Sequence, residues 1–145
     1  MTDDETTGFA EKGGQVLSFI ADGKFYGFDI LSVSDIIEIP EITPIPKTPE
    51  HILGIMNHRG KAVPVMDFRL RLGLPKWEYD DRSCVIVLEI NGMQYGLLAD
   101  RVSDVENCLP EQIALSPAEN SVVSCFISTP KKRISLLNPE RLIRG

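Results

Sequence analysis

The sequence contains an internal repeat that aligns its first half with its second half at an offset of 69 residues, which becomes 71 near the end of each copy. At the first offset Val16–Phe19 meets Val85–Leu88, and Val33–Ile36 meets Val102–Val105. Solenoid repeats are shorter than this, so the period indicates that a small domain has been duplicated. Two similar lobes form a seam, and binding surfaces often lie at such seams. The repeat therefore predicts two lobes with one fold.

Each copy opens with a predicted β-hairpin. Asp22-Gly23 separates the strand-like segments Val16–Ala21 and Lys24–Asp29, and Asn91-Gly92 lies at the equivalent place between residues 85–90 and 93–99. Asp-Gly and Asn-Gly readily supply the two positive φ angles that a type I′ turn requires. Further strands are expected at residues 33–39, 52–56, 61–66 and 102–106.

Prolines and capping residues set the remaining structural expectations. Residues 40–49 hold four prolines, so this segment is expected to cross the surface in an extended form. Pro64 cannot donate a ladder hydrogen bond, so its strand is expected to be an edge strand or to carry a bulge. Asp67 is expected to cap a short helix over 68–72 that ends at Gly73, and Asn138 is expected to cap another over 139–143.

Strands this short, at this spacing, predict an all-β chain made of two small five-stranded β-barrels with short capping helices. The first lobe is assigned to residues 15–81 and the second to residues 82–145, after a flexible acidic tail over residues 1–14. Each lobe has only about 65–70 residues, which is few for a core of its own. The two lobes are therefore expected to share apolar contacts or to exchange a terminal strand.

Charge and composition exclude several classes of function. A net charge of −6 argues against nucleic acid as a partner. No apolar stretch approaches the ~18 residues of a membrane-spanning helix, and the acidic N-terminus lacks the apolar segment of a signal peptide, so no direct membrane insertion is expected. Cys84, Cys108 and Cys125 are odd in number and widely separated, which predicts reduced core thiols in a cytoplasmic protein.

The sequence offers little catalytic chemistry. His51 and His58 are the only histidines, and their spacing is not that of a helical zinc pair. The sequence has no Gly-x-Ser-x-Gly, no glycine-rich phosphate loop and no Cys-x-x-Cys. We therefore expect no catalytic residues, no metal site and no cofactor.

Two residues stand out as candidates for binding. Arg59 lies on a predicted turn between two apolar strands, where its guanidinium could recognise a carboxylate or carbonyl of a partner, or could merely solvate the turn. Strict alternation along the third strand places Val33, Asp35 and Ile37 on one face, so Ile36 faces outward among polar neighbours. Isolated exposed apolar residues are common, but Ile36 and its repeat partner Val105 could also meet in one groove. The residues alone leave both questions open.

Residues Gly54–Arg69 resemble the Gly-x-x-Asn-Leu-Arg-Gly-x-x-x-Pro-Val-x-Asp-Leu-Arg signature of the CheW family. Ile30–Ile36, Pro44–Pro49 and Gly96–Val105 follow in the family's order, so the resemblance extends from Gln15 to Ile143. It implies two SH3-like barrels and a non-enzymatic adaptor of bacterial chemotaxis signal transduction. Such an adaptor couples the cytoplasmic hairpin tip of methyl-accepting chemoreceptors to the regulatory domain of the CheA histidine kinase. The resemblance also implies a cytoplasmic protein that is recruited to membrane-associated receptor arrays.

In proteins of this family a receptor helix lies in an apolar groove between the barrels. Position by position, the resemblance implies that the receptor-binding residues are Leu17, Ile30, Val33, Ile36, Arg59, Val102 and Val105. Strand alternation places Val33 in the core instead, and a kink or helical turn near Ser32 would reconcile the two assignments.

The chain departs from the family at a few positions. His58 replaces the leucine that usually precedes the arginine, Cys125–Thr129 replace a glycine-containing strand, and Asn138-Pro139 replace an aspartate followed by an apolar residue.

A regulatory domain of the CheV or CheA type would share this fold, but the chain begins at Met1 and ends just after the second copy, so a free-standing protein is expected. The rival from another class is an SH3-like or OB-like barrel that binds a small ligand or another protein. A nucleic-acid-binding version of that rival would need a basic or aromatic cleft.

Overall fold

The computed structural model describes residues 8–118 and 121–144, and it confirms an all-β fold. Residues 8–12 are helical, and two further short helices follow, α1 (Phe68–Leu72) and α2 (Pro139–Arg144), together with 3₁₀ turns at Ile30–Ser32 and Pro110–Gln112. No helix among the described residues is long and apolar enough to cross a membrane. The strands are β1 (Gly14–Ala21), β2 (Lys24–Asp29), β3 (Val33–Glu38), β4 (Ile52–His58), β5 (Lys61–Asp67), β6 (Cys84–Ile90), β7 (Met93–Ala99), β8 (Arg101–Cys108), β9 (Ile113–Leu115), β10 (Val123–Ser128) and β11 (Arg133–Leu137).

The chain forms two compact units that do not follow the predicted division after residue 81. The terminal unit comprises residues up to Ser32 and from Ser103 onward, and the central unit comprises Val33–Val102. The sheet order is β8-β1-β2-β11-β10-β9 in one sheet and β3-β6-β7-β5-β4 in the other, so the first has six strands rather than the predicted five. Hairpin β1–β2 of the first copy thus joins the last strands of the second copy, and hairpin β6–β7 of the second copy joins the strands of the first.

Parallel strand pairs explain why the contiguous lobes 15–81 and 82–145 are not the compact units. β2 pairs in parallel with β11, and β5 pairs in parallel with β7. Parallel neighbours cannot be joined by a tight turn, so each pair must combine segments that are distant in sequence. The copies exchange a whole hairpin, where the exchange of a terminal strand was one of the two expectations.

Each unit has its own apolar core. In the terminal unit Val16, Cys125, Ile127 and Ile134 are fully buried, and Phe9 packs with them at 7% exposure. In the central unit the core cluster is built from Met56, Val63, Val65, Val85, Val87 and Leu98.

The burial of Phe9 corrects the expectation of a flexible tail over residues 1–14. Residues 8–12 are helical and β1 begins at Gly14, because the Phe9 ring gains the free energy of apolar burial against the core. Residues 1–7 lie outside the described residues.

Local turn and cap predictions are confirmed. Asp22 and Gly23 have φ angles of 51° and 72°, and Asn91 and Gly92 have φ angles of 51° and 80°. The Asp67 side chain caps α1 by accepting a hydrogen bond from the Leu70 amide at 3.1 Å, and α1 ends at Gly73 with φ of 71°. At α2 the Asn138 side chain accepts from the Arg141 amide at 3.2 Å. Each of these turns and caps depends on residues only a few positions apart, so the local sequence is enough to predict it.

Pro64 does not lie on an edge strand. β5 lies between β7 and β4, and the parallel pairing with β7 begins only at Val65. The pairing with β4 carries a bulge, but the extra residue lies in β4, between Ile52 and Gly54. Pro64 is tolerated because the pairing with β7 does not reach its missing N–H group.

The proline-rich segment covers the outer edge of β4 at Thr43, but it is not extended throughout as predicted, because it turns at Pro46-Lys47, where Lys47 has a φ of 62°. Thr43 and Ile55 exchange two backbone hydrogen bonds of 2.8 and 2.9 Å. A Cβ atom on Gly54 would lie 2.0 Å from the Thr43 carbonyl oxygen, so only glycine allows this approach. The contact protects an edge that would otherwise be open to pairing with another chain.

The three cysteines are free and buried, as predicted. Burial raises the pKa of each thiol, that of Cys125 to about 11. Because the thiolate is the reactive form, we expect no reaction with DTNB at pH 8 in the native state and reaction of all three thiols in denaturant. A Ser128→Cys variant, which places a thiol at an exposed position, serves as the reactive control. A native cysteine that reacted as fast as this control would contradict the prediction.

Candidate partner-binding site

β3 presents Ile36 outward at 42% exposure, as alternation predicts. A β-bulge lies before Ile36 in this strand. Val33 pairs with Leu88 and Asp35 pairs with the adjacent residue Val87, so Ser34 is an extra residue without a partner in β6. Residues paired across antiparallel strands point to the same face, and the face alternates along each strand.

The bulge resolves the conflict over Val33. Ile36 pairs with Ile86, which shares a face with Leu88, the partner of Val33. Val33 therefore shares a face with Ile36, whereas Ile37 packs against the core cluster of the central unit. The predicted helical turn near Ser32 is also present as the 3₁₀ turn Ile30–Ser32. A one-residue bulge reverses the face of every residue that precedes it, and alternation alone cannot reveal this.

Arg59 lies on a two-residue turn between β4 and β5. Arg59 and Gly60 have φ angles of 53° and 81°, so the turn predicted here is a third hairpin turn with two positive φ angles. The Asn57 side chain stabilises the turn by accepting a hydrogen bond from the Gly60 amide at 3.0 Å. The Arg59 side chain is 79% exposed, and its Nη2 donates to Asp35 Oδ2 at 3.1 Å. Arg59 is thus anchored at one point while most of its guanidinium remains accessible.

Asp35 connects the turn to β3. Its Oδ1 accepts from the Ile36 amide at 2.9 Å, while Oδ2 faces both Arg59 and His58. The His58 side chain is only 9% exposed, and its Nε2 lies 3.5 Å from Asp35 Oδ2. The histidine that replaces the expected leucine therefore packs behind Arg59 and contacts the same carboxylate.

The remaining predicted site residues are distributed over both units. Val102 is half-buried at the end of the central unit, and Ile30 is half-buried in the terminal unit. Val105 lies on β8 and is 52% exposed. Leu17 is 2% exposed, so its side chain has almost no surface to offer a partner. Within the central unit, the Asp35 side chain joins Arg59 to β3, and Val33 lies on the same face as Ile36.

Sequence reasoning missed a charged cluster in the terminal unit. The Lys132 side chain is 8% exposed, and its Nζ lies 2.9 Å from Glu106 Oε2 and 3.6 Å from Asp104 Oδ2. The same ammonium group lies 4.5 Å from the centre of the Phe25 ring. The repeat aligns Asp104 with Asp35, and this alignment could have indicated a charged contact at Asp104. It could not have identified Lys132 as the cation.

A buried ion pair that the sequence did not predict holds part of the central unit together. Arg69 on α1 contacts Asp100 Oδ2 through Nη2 at 2.6 Å and through Nε at 2.8 Å, and the two side chains are 4% and 9% exposed. Arg69 also donates to the Pro75 carbonyl at 2.7 Å and lies 4.5 Å from the centre of the Trp77 ring. Burial, and then the neighbouring carboxylate of Asp67, raises the pKa of the Tyr79 phenol. This network fixes the segment that follows α1.

No group of three or more histidine, cysteine, aspartate or glutamate side chains that could hold a metal ion occurs within residues 8–118 and 121–144.

The sequence pattern of the CheW-like domain family matches residues 15–145. A chemotaxis protein CheW from Klebsiella aerogenes is 37% identical over 105 residues, which are 72% of this chain and 63% of that protein. The match thus spans slightly less than two thirds of that relative. A CheW from Thermotoga maritima is 33% identical over 112 residues, which are 77% of this chain and 74% of that protein. The crystal structure of the scaffolding protein TtCheW from Thermoanaerobacter tengcongensis superposes with a TM-score of 0.81 at 33% identity, covering 86% of this chain and 88% of that one.

Proposed function

Because this chain belongs to the CheW-like family of chemotaxis adaptors, we propose that it couples the cytoplasmic hairpin tip of chemoreceptors to the regulatory domain of the CheA histidine kinase. Family membership makes it a non-enzymatic adaptor of chemotaxis signal transduction, as the sequence predicts. The proposal adds the two partners and the recruitment of the chain to receptor arrays.

The observation that best supports receptor binding is the outward position of Ile36, which directly follows Asp35, the residue that anchors Arg59. An amphipathic helix binds through a few apolar anchors placed on a complementary apolar surface. Ile36 offers such an anchor point, and the accessible donors of Arg59 suit a carboxylate or carbonyl at the border of the contact. The proposed receptor contacts are Ile30, Val33, Ile36, Arg59, Val102 and Val105, with Leu17 as buried support.

A three-component reconstitution tests this function. The full chain, a CheA regulatory domain and a receptor hairpin fragment from one organism are mixed and separated by gel filtration. We expect the chain to bind each partner alone and all three to elute together, because an adaptor must hold both partners at once. Failure to bind either partner, or competition between the two for the chain, would refute the coupling function.

The substitution Arg59→Ala, measured with the same components, tests whether Arg59 contacts the receptor or the kinase. We expect this variant to weaken binding of the receptor fragment more than binding of the kinase domain, since Arg59 is anchored to Asp35 on the strand that carries Ile36. If the variant lost more affinity for the kinase domain than for the receptor fragment, Arg59 would belong to the kinase contact instead.

A further inference from the structure

The two units contain the same arrangement of a strand carboxylate and a cation from a hairpin turn. In the central unit Asp35 on β3 faces Arg59, from the β4–β5 turn. In the terminal unit Asp104 on β8 faces Lys132, from the β10–β11 turn, and the repeat aligns Asp104 with Asp35. The residue after each aspartate, Ile36 or Val105, is an exposed aliphatic side chain. We call each arrangement an acid–cation clasp.

The two clasps expose opposite charges. In the central unit the cation is exposed and the acid is not, with side-chain exposures of 79% for Arg59 and 26% for Asp35. In the terminal unit the order is reversed, with 8% for Lys132 and 69% for Asp104. A partner that approaches the central clasp therefore meets a guanidinium, whereas one that approaches the terminal clasp meets a carboxylate.

Glu106 explains why the terminal clasp leaves its aspartate available. A buried ammonium group is costly unless carboxylates compensate its charge. Lys132 Nζ lies 2.9 Å from Glu106 Oε2 and 3.6 Å from Asp104 Oδ2, so Glu106 is the closer counter-ion. Two carboxylates share one ammonium, and the cluster keeps one net negative charge, which lies on the more exposed Asp104.

The backbone of Asp104 is also fixed in place. The hydroxyl group of Ser18, which is fully buried on β1, donates to the Asp104 carbonyl at 3.1 Å and accepts from the Asp104 amide at 3.3 Å. A charge held on a fixed backbone loses less conformational entropy on binding than one on a mobile loop. The exposed carboxylate of Asp104 is thus carried, next to Val105 in sequence, on a backbone that is held in place.

We propose that Asp104 and Val105 form a docking point for a segment of the receptor hairpin that presents a lysine or arginine beside an aliphatic side chain. This inference rests on the proposed adaptor function and adds the chemistry of the partner segment. Charge complementarity identifies the occupant, because an exposed carboxylate with a compensated, buried cation behind it attracts a cation and repels an acid.

Calorimetric titration of the full chain with the receptor hairpin fragment tests the docking point. We expect Asp104→Asn, which keeps the size of the side chain, to weaken binding about threefold and Asp104→Lys to weaken it about tenfold or more. Glu111→Lys makes the same charge change at an exposed site of the terminal unit and is expected to leave the affinity unchanged. Variants of the hairpin fragment, each with one lysine or arginine replaced by glutamate, are then titrated against the Asp104→Lys chain. We expect one of these charge reversals to restore binding.

The outcomes separate this inference from the adaptor function. Unchanged affinity for Asp104→Lys, or restoration by none of the hairpin variants, would overturn the docking point while receptor coupling stands. If the unmodified chain bound no receptor hairpin, both proposals would fall together. Circular dichroism and thermal melting of each Asp104 variant show whether the fold is kept, and Asp104→Asn remains decisive if the lysine variant fails to fold.

Discussion

Replacing Asp100 with asparagine is expected to lower the free energy of unfolding by about 3 kcal/mol, because it removes the carboxylate charge that compensates a buried guanidinium. The Arg69 and Asp100 side chains are 4% and 9% exposed, so water cannot solvate the arginine in place of the lost charge. Urea unfolding followed by circular dichroism measures the change. The variant is also expected to loosen the segment that Arg69 holds through the Pro75 carbonyl and the Trp77 ring, which tryptophan fluorescence reports.

Lys76→Met is the control for this substitution. It breaks the ion pair between Lys76 and Glu50, whose side chains are 83% and 72% exposed, in the same unit. Exposed ion pairs contribute little to stability, so the unfolding free energy is expected to change by less than about 0.5 kcal/mol. Equal effects of the two substitutions would contradict the structural importance of the buried pair.

The substitution Ile36→Glu is expected to weaken binding of the receptor hairpin fragment at least about 100-fold, which corresponds to about 2.7 kcal/mol. A glutamate at this position would bring an uncompensated carboxylate into an apolar contact, and its desolvation opposes binding. Ile36 is 42% exposed on β3, so the isolated chain is expected to keep its fold and its melting temperature. Val102→Glu is expected to act in the same direction, although Val102 is half-buried and some loss of stability is also expected.

Ile55→Glu provides the matched control for Ile36→Glu. Ile55 is 36% exposed on β4 of the same unit and lies outside the proposed receptor contacts. Isothermal titration calorimetry should therefore give the wild-type affinity for this variant. If Ile36→Glu also bound with wild-type affinity, Ile36 would not belong to the receptor contact.

Sequence reasoning was most accurate where a structural feature depends on neighbouring residues. Asp22-Gly23 and Asn91-Gly92 form the predicted turns, and Asp67 and Gly73 begin and end α1 as predicted. It placed a turn at Arg59 but not the two positive φ angles of that turn, because Arg59 takes a left-handed conformation that arginine rarely adopts. There the Asn57 side chain and the Asp35 contact support the backbone, and the second of these spans 24 positions in the sequence.

The candidate site was only partly predictable. The outward position of Ile36 followed from alternation, but the face of Val33 did not, because the bulge at Ser34 depends on the pairing with β6. The burial of Leu17 also limits what the family resemblance implied for it, since a side chain at 2% exposure supports a surface rather than forming one. The roles of the predicted receptor contacts stay predictions that the proposed titrations test.

The sequence by itself determined that the chain is a duplicated all-β protein, where its tight turns and helix caps lie, and which family it resembles. The tertiary structure alone decided which strands share a sheet, because parallel pairs such as β2–β11 and β5–β7 join segments that no local signal connects. It also decided the charge that each acid–cation clasp exposes. Asp35 and Asp104 align in the repeat, yet burial of Lys132 beside Glu106 exposes an acid in one unit, and the open turn at Arg59 exposes a base in the other. Burial depends on the packing of distant segments, and the repeat pattern does not encode it.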